Sequence, residues 1–167
     1  MAGNNNKQYI FLVDDEPIQN EMLKDFLSER FRYEFRTYES GETAIKDADL
    51  RPQVIVLDYH LNSHLPDAKD GIEVLKMFKE ALPDTKVIML SGQDKIEVAI
   101  DSMKYGAFDY VIKGETAFSR MENIINYVNE ITNIKAANAM YKKVIAFLCV
   151  VFALVVMGSI LLVLKMR

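Results

Sequence analysis

Residues 53–58 read QVIVLD, a short apolar run rich in β-branched side chains that ends on a single aspartate. Three further short runs of mostly apolar residues and one segment that alternates polar and aromatic residues resemble it in length. These four segments are YIFLV at 9–13, YEFRTY at 33–38, KVIML at 86–90 and FDYVI at 108–112. Short apolar runs are typical of strands buried on both faces of a parallel sheet. The alternation at 33–38 indicates a more exposed strand at an edge.

Apolar residues at helical spacing separate these predicted strands. Three helical faces are predicted: Ile18, Met22, Phe26 and Leu27; Ile72, Leu75, Phe78 and Leu82; and Ile96, Ala99, Ile100 and Met103. Pro17 suits a first helical turn, and Gly106 suits a position just beyond a helix end. Strands that alternate with helices through short connections predict an α/β fold, in which helices cover both faces of a parallel sheet.

Charge is distributed unevenly along the 167 residues. Residues 1–143 hold 18 Lys and Arg against 24 Asp and Glu, a net charge of −6, whereas the last 24 residues contain no acid. An acidic domain without a basic patch repels nucleic acid backbones, so we expect no nucleic-acid binding. Residues 1–7 are predicted to be disordered and lack the apolar core of a signal peptide. The single cysteine, Cys149, excludes an internal disulfide and a multi-cysteine metal site.

Polar residues follow four of the predicted strands. They are Asp14 and Asp15 after the first strand, Asp58 after the third, Ser91 after the fourth and Lys113 after the fifth. Because the carboxyl ends of parallel strands meet at one edge of the sheet, these side chains are expected to converge. Neighbouring carboxylates repel each other unless a cation joins them, and their oxygen atoms suit Mg²⁺. Taken singly, each has a plain structural interpretation, such as a helix cap for Asp14 or a solvated amine for Lys113.

The same residues resemble the receiver domains of bacterial two-component response regulators, over residues 8–131. The matching segments are FLVDDE at 11–16, VIVLDYHL at 54–61, VIMLSGQ at 87–93 and FDYVIKG at 108–114. The resemblance implies a flavodoxin-like, doubly wound sheet of five parallel strands in the order 2-1-3-4-5. It also implies a signalling module that is not an enzyme, although slow loss of its own phosphoryl group is expected.

The resemblance implies a role for each residue of the rim. Asp58 would accept a phosphoryl group from a sensor histidine kinase or a phosphotransfer protein. Asp15 and Asp58 would bind Mg²⁺ directly together with the backbone carbonyl of His60, and Asp14 would support the ion through water. Ser91 and Lys113 would hold phosphoryl oxygens. Ser91 and Tyr110 would then switch conformation and change the surface that a partner recognises.

Two features depart from the family pattern. The loop after Asp58 is longer than usual, so that Pro66 and the Asp70-Gly71 pair follow at greater distances. The usual Lys-Pro is Lys113-Gly114 here. A cis bond without proline costs about 3–4 kcal/mol, so the usual cis geometry and the orientation of the Lys113 side chain are not expected to follow the family pattern. His60 and His64 are interpreted as polar loop residues, because no third ligand has suitable spacing.

The stretch 144–164 contains no charged residue and is flanked by lysines. At about 1.5 Å per residue it would span about 32 Å, close to the thickness of a bilayer core. This predicts a helical linker at 132–143, a transmembrane helix at 144–164 and a tail at 165–167. The protein would then be a single-pass membrane protein, with its receiver domain in the cytoplasm and its target at the bacterial inner membrane.

Three alternatives stay open at this stage. A scaffold with a receiver fold that is not phosphorylated fits the long loop and Gly114. An aspartate-nucleophile phosphohydrolase uses Asp and Mg²⁺ as well, but it carries Asp-x-Asp after its first strand, where this chain has Val13-Asp14-Asp15-Glu16. A homodimer through the helix at 115–143 would use a heptad seam of Met121, Ile124, Val128 and Ile131.

Overall fold

The computed structural model describes residues 7–61, 69–92 and 96–165. Its five strands form one parallel sheet in the order β2-β1-β3-β4-β5. The strands are β1 (Tyr9–Val13), β2 (Glu34–Tyr38), β3 (Val54–Asp58), β4 (Lys86–Ser91) and β5 (Asp109–Ile112). The predicted α/β class, the flavodoxin-like strand order and the edge position of β2 are confirmed.

Helices connect the strands. They are α1 (Pro17–Ser28), α2 (Gly41–Ala44) with a 3-10 helix at Ile45–Leu50, α3 (Gly71–Ala81), α4 (Ile96–Lys104) and α5 (Ala117–Lys165). Pro17 occupies the first turn of α1, where the missing N–H has no helical partner to lose. Gly106 has a φ of 93°, which glycine adopts without strain and which turns the chain from α4 towards β5.

The buried face of α3 matches the prediction, whereas those of α1 and α4 match it only in part. Leu75 and Phe78 are fully buried there. In α1, Ile18 is 75% exposed and Met22 56% exposed, whereas Leu27 is buried as predicted, together with Asn20 and Leu23. In α4 the predicted face is largely exposed, at Ile96, Ile100 and Met103. One of the packed positions of α1 is the polar residue Asn20, so a pattern of apolar residues alone does not identify the buried face of this helix.

The sheet and the start of α5 contribute to the core. All five residues of β3 are buried, as expected for a central parallel strand. Met121 and Ile124 on α5 are buried as well, at 1% and 7% exposure. These two side chains open the predicted heptad seam. Because they already pack inside the domain, they are not available to a second copy, and the predicted seam is corrected at these two positions.

The chain divides into two units, Met1–Ile125 and Asn126–Arg167. Among the described residues, none of the helices combines the length and the apolar character that crossing a bilayer requires. This finding contradicts the predicted transmembrane anchor at 144–164 and the membrane location that rested on it. A crossing helix needs about 20 mostly apolar residues.

Several other predictions fall on parts of the chain that are not described. Residues 1–6, most of the loop after Asp58 with His64 and Pro66, and Met166 and Arg167 lie outside the described residues. The side chains at 153, 155, 156 and 159–163 do so too. The predictions for these residues are therefore not tested.

Candidate functional site

Backbone hydrogen bonds fix the residues at the carboxyl edge of the sheet. The Asp14 N–H donates to the Tyr38 carbonyl at 3.1 Å, so β1 and β2 stay joined where β1 ends. The Tyr59 N–H donates to the Leu90 carbonyl at 2.9 Å, and the Lys113 N–H donates to the Ser91 carbonyl at 2.7 Å. Backbone hydrogen bonds therefore extend to the rim on all five strands, and they bring the predicted site residues to one edge.

Lys113 forms ion pairs with two of the predicted carboxylates. Its Nζ lies 2.8 Å from Asp14 Oδ2, to which it donates a hydrogen bond, and 3.1 Å from Asp58 Oδ1. The side chains of Asp14 and Asp58 are 6% and 3% exposed, so both pairs are shielded from water. No cis peptide bond occurs in the described residues, so the bond before Gly114 is trans. Lys113 reaches the site in spite of this departure from the family.

Three carboxylates form a cluster that fits a divalent cation. Asp14, Asp15 and Asp58 each offer an oxygen atom, and these atoms lie within 4.8 Å of one another. Asp58 Oδ1 is buried, and within the described residues it is held by the Lys113 ammonium at 3.1 Å without a hydrogen bond of good geometry. A buried carboxylate oxygen that is incompletely hydrogen-bonded favours further positive charge close to it. The donor set and this oxygen fit Mg²⁺, which prefers carboxylate ligands.

The electrostatics of the cluster agree with this. Burial raises the pKa of the Asp58 carboxyl, and the charge of Lys113 offsets this only in part, while Asp14 adds to it. Burial alone would lower the pKa of Lys113, but its hydrogen bond to Asp14 and the charges of both carboxylates outweigh burial and raise that pKa. Lys113 is therefore a permanent cation, and a single ammonium group faces three carboxylates.

The first turn of α3 packs against the backbone of Asp58 and Tyr59. A Cβ atom on Gly71 would lie 2.5 Å from the Asp58 carbonyl oxygen and 2.7 Å from Tyr59 Cα, so only glycine fits there. The Gly71 N–H donates to the Tyr59 carbonyl at 2.9 Å. Asp70 and Glu73 form a capping box that starts the helix at this point. The sequence interpretation treated Asp70-Gly71 as displaced and missed this role.

The other predicted site residues lie at or beneath the same rim. Ser91 is fully buried at the end of β4. Tyr110 is 8% exposed and packs in the core beneath the rim. The ring of His60 lies edge-on to that of Tyr59, with 4.8 Å between their centroids. The metal role of the His60 carbonyl, the phosphoryl role of Ser91 and the switch role of Tyr110 stay predictions.

Comparisons with known proteins agree with this site. The family model of the response regulator receiver domain matches residues 10–141. The chain is 34% identical to the nitrogen assimilation regulatory protein NtrX of Azorhizobium caulinodans over 105 residues. This aligned region is 62% of this chain and 22% of that protein. It is 29% identical to the chemotaxis protein CheY of Listeria monocytogenes, over 62% of this chain and 84% of that protein.

A solved structure shows the same fold. The receiver domain of NtrX from Brucella abortus superposes with a TM-score of 0.63 at 29% identity, over 72% of this chain and 98% of that domain. The chain spans about a fifth of the length of the first curated relatives, NtrX and the regulatory protein AtoC of Escherichia coli. Receiver domains bind Mg²⁺ at an acidic pocket, which corresponds here to the aspartate cluster. The chain belongs to the response regulator receiver domain family.

Proposed function

We propose that this chain accepts a phosphoryl group on Asp58 from a histidine kinase or a phosphotransfer protein. Receiver domains are signalling modules that interact with histidine kinases and are generally not enzymes. The observation that supports the proposal most directly is the Asp58 carboxylate, which is buried at the end of β3 beside Asp14 and Asp15 and lies 3.1 Å from the Lys113 ammonium. The Asp58 carboxylate is the nucleophile in the proposed reaction.

In the proposed step, a carboxylate oxygen of Asp58 attacks the phosphorus of a phosphohistidine. A P–O bond forms, the P–N bond breaks, and the imidazole leaves with the electron pair of that bond. Such a transfer depends on neutralised charge and alignment more than on acid-base catalysis. Asp15 and Asp58, with the His60 carbonyl, would hold Mg²⁺, and Asp14 would support it through water. When bound, the ion supplies neutralising charge to the phosphoryl oxygens.

Lys113 and Ser91 act on the product in this proposal. Lys113 Nζ now contacts both Asp14 and Asp58. Once Asp58 carries a phosphoryl group, the strongest negative charge lies on that group, and Lys113 exchanges a carboxylate contact for a phosphoryl oxygen. The Ser91 hydroxyl holds a second oxygen, and Tyr110 follows Ser91 in a shift between two packings. The altered surface then controls a partner.

The proposal is tested by mixing the purified chain with Mg²⁺ and acetyl phosphate and measuring the intact mass. We expect one phosphoryl adduct, which Asp58→Asn abolishes. Asp84→Asn is the matched control, because Asp84 is exposed and lies just before β4 at the opposite edge of the sheet. An adduct of equal yield in Asp58→Asn would contradict the assignment of the acceptor.

The same experiment tests the alternative of a scaffold that is not phosphorylated. That alternative rested on the long loop and on Gly114. Lys113 reaches Asp14 and Asp58 with glycine after it, so the second of these arguments loses its force. A wild-type chain without any adduct under these conditions would favour the scaffold.

A further inference from the structure

Asn20 is a polar residue at a packed position of α1. It is 3% exposed, and it shares the buried face of the helix with Leu23 and Leu27. An amide at such a position is tolerated when its hydrogen-bonding groups are satisfied, because it would otherwise lose its contacts with water without compensation. Its hydrogen bonds therefore indicate what it does there.

The side-chain amide of Asn20 joins the ends of two strands. Its Nδ2 donates to the Asp14 carbonyl at 2.9 Å and to the Tyr38 carbonyl at 3.1 Å. The Asp14 carbonyl belongs to the peptide that links Asp14 to Asp15, so one hydrogen bond acts on the connection between two carboxylate-bearing residues. The Tyr38 carbonyl also accepts from the Asp14 N–H. The two strand ends are thus fixed to each other at the carboxylate cluster.

A small cavity lies on the inner side of this cluster. Its volume is about 20 Å³, and Asn20, Asp14 and Asp58 are among the residues that line it. Asn20 therefore borders the same space as the two buried aspartates. On the other side of Asp14, its Oδ1 accepts from the Glu16 N–H at 2.9 Å. Asn20 therefore holds the backbone of Asp14, and the hydrogen bond from the Glu16 N–H orients the Asp14 carboxylate.

We propose that Asn20 is a positioning residue for the cation site. By its hydrogen bond to the Asp14 carbonyl it fixes the Asp14–Asp15 peptide in the position from which the carboxylates of both residues can act on the same ion as Asp58. The inference rests on the proposed function, in which this cluster binds Mg²⁺. Residues that orient metal ligands typically contribute about 10- to 100-fold to metal affinity. The loss of the Asn20 amide is expected to weaken Mg²⁺ binding by this factor without removing a ligand.

The test compares Asn20→Leu with Thr85→Val in the full chain. Both changes are close in size and remove buried hydrogen bonds from a side chain to backbone carbonyls. The Thr85 hydroxyl donates to the Pro52 carbonyl at 2.8 Å, ahead of β3 and β4 at the far edge of the sheet. Mg²⁺ affinity is measured by calorimetry, and thermal unfolding is followed in EDTA. We expect both variants to unfold at lower temperature, and only Asn20→Leu to bind Mg²⁺ about 10- to 100-fold more weakly.

Asn20→Ser serves as a second variant, because the serine hydroxyl keeps one hydrogen-bond donor. If Asn20→Leu does not fold, the Mg²⁺ affinity of Asn20→Ser tests the positioning role. It should bind Mg²⁺ more weakly than the wild type. Wild-type affinity in a folded Asn20 variant, or an equal loss of affinity in Thr85→Val, would overturn the positioning role alone. A wild-type chain that binds no Mg²⁺ would overturn the metal part of the proposed function and this inference together. The first two outcomes leave the phosphoacceptor proposal intact.

Discussion

Replacement of Asp58 by asparagine should make the metal-free protein more stable, although it removes the proposed phosphoacceptor. Asp58 is 3% exposed, and its Oδ1 lacks a hydrogen bond from the described residues. Its carboxylate belongs to a cluster of three, within which the ligand oxygens lie no more than 4.8 Å apart. One ammonium group, that of Lys113, lies 3.1 Å away. The charge of Asp58 is therefore a cost to the fold when no metal is present.

The size of this effect follows from these distances. With an effective dielectric constant of about 20, two unit charges at the outer limit of 4.8 Å repel each other by about 3.5 kcal/mol, so the repulsion from Asp14 and Asp15 before screening is at least about 7 kcal/mol. Lys113 at 3.1 Å returns about 5 kcal/mol. Asp15 is partly exposed, so its share is reduced by solvent screening. The neutral amide should raise the free energy of unfolding by about 1–2 kcal/mol.

The assay is urea unfolding at pH 7 in EDTA, followed by circular dichroism, with Asp84→Asn as the control. The control should change the free energy of unfolding by less than about 0.5 kcal/mol, because Asp84 is exposed. Added Mg²⁺ should stabilise the wild type and not Asp58→Asn, so the difference between them should shrink or reverse. A variant that is less stable than the wild type in EDTA, or a difference that Mg²⁺ leaves unchanged, would refute the reasoning.

The pH dependence supplies a second check on the same variant. Burial raises the pKa of Asp58 in the folded protein above its unfolded value. The carboxyl therefore contributes most to stability at a pH below its unfolded pKa, and it loses that contribution as the pH rises through its folded pKa. The advantage of Asp58→Asn should be largest near neutral pH and should decrease as the pH falls and the wild-type carboxyl becomes neutral. An advantage that grows towards acid pH would show that another group is responsible.

Three further predictions follow from the site. Gly71→Ala places a Cβ 2.5 Å from the Asp58 carbonyl oxygen and should cost about 1–3 kcal/mol in urea unfolding and slow labelling by acetyl phosphate; unchanged values would contradict the close approach. Asp15→Ala should weaken Mg²⁺ binding severely, because one of few protein ligands is lost, and a calorimetric titration that shows wild-type affinity would exclude it as a ligand. Lys113→Ala should still bind Mg²⁺, but hydrogen exchange at β4 and β5 should no longer respond to phosphorylation; a wild-type response would remove Lys113 from the switch.

The sequence predicts the sheet well, because a buried parallel strand leaves a clear pattern. The run at 54–58 is apolar up to Asp58, and the structure buries every residue of it. The end of such a strand also marks the site, since the first polar residue after the run lies at the rim. For the same reason Asp14, Ser91 and Lys113 were identified together with Asp58, although the four are far apart in the sequence. The order of the strands came from the family resemblance.

Helical faces were predicted less well, because apolar spacing does not say which face is packed. Ile18 and Met22 have helical spacing and lie exposed, while Asn20 on the neighbouring face is buried. Ile100 and Met103 show the same on α4. The spacing identifies a helix in each case, but its rotation about its own axis depends on tertiary contacts. The uncharged stretch at 144–164 shows a further limit, since composition alone indicated a membrane span that the described residues do not support.

Asn20 and Gly71, whose structural roles were not predicted from the sequence, have a feature in common. Both act on the backbone of carboxylate-bearing residues: Asn20 bonds the Asp14 carbonyl, and Gly71 allows α3 to approach the Asp58 carbonyl to a distance that no other residue permits. Hydrophobic periodicity reports the burial of side chains and contains no information about such backbone contacts. A polar residue in a packed face and a glycine at a helix start both break local rules, and such breaks are expected where function constrains the chain. In this fold, Asn20 and Gly71 are two such residues, and both fix the backbone positions from which the carboxylates extend.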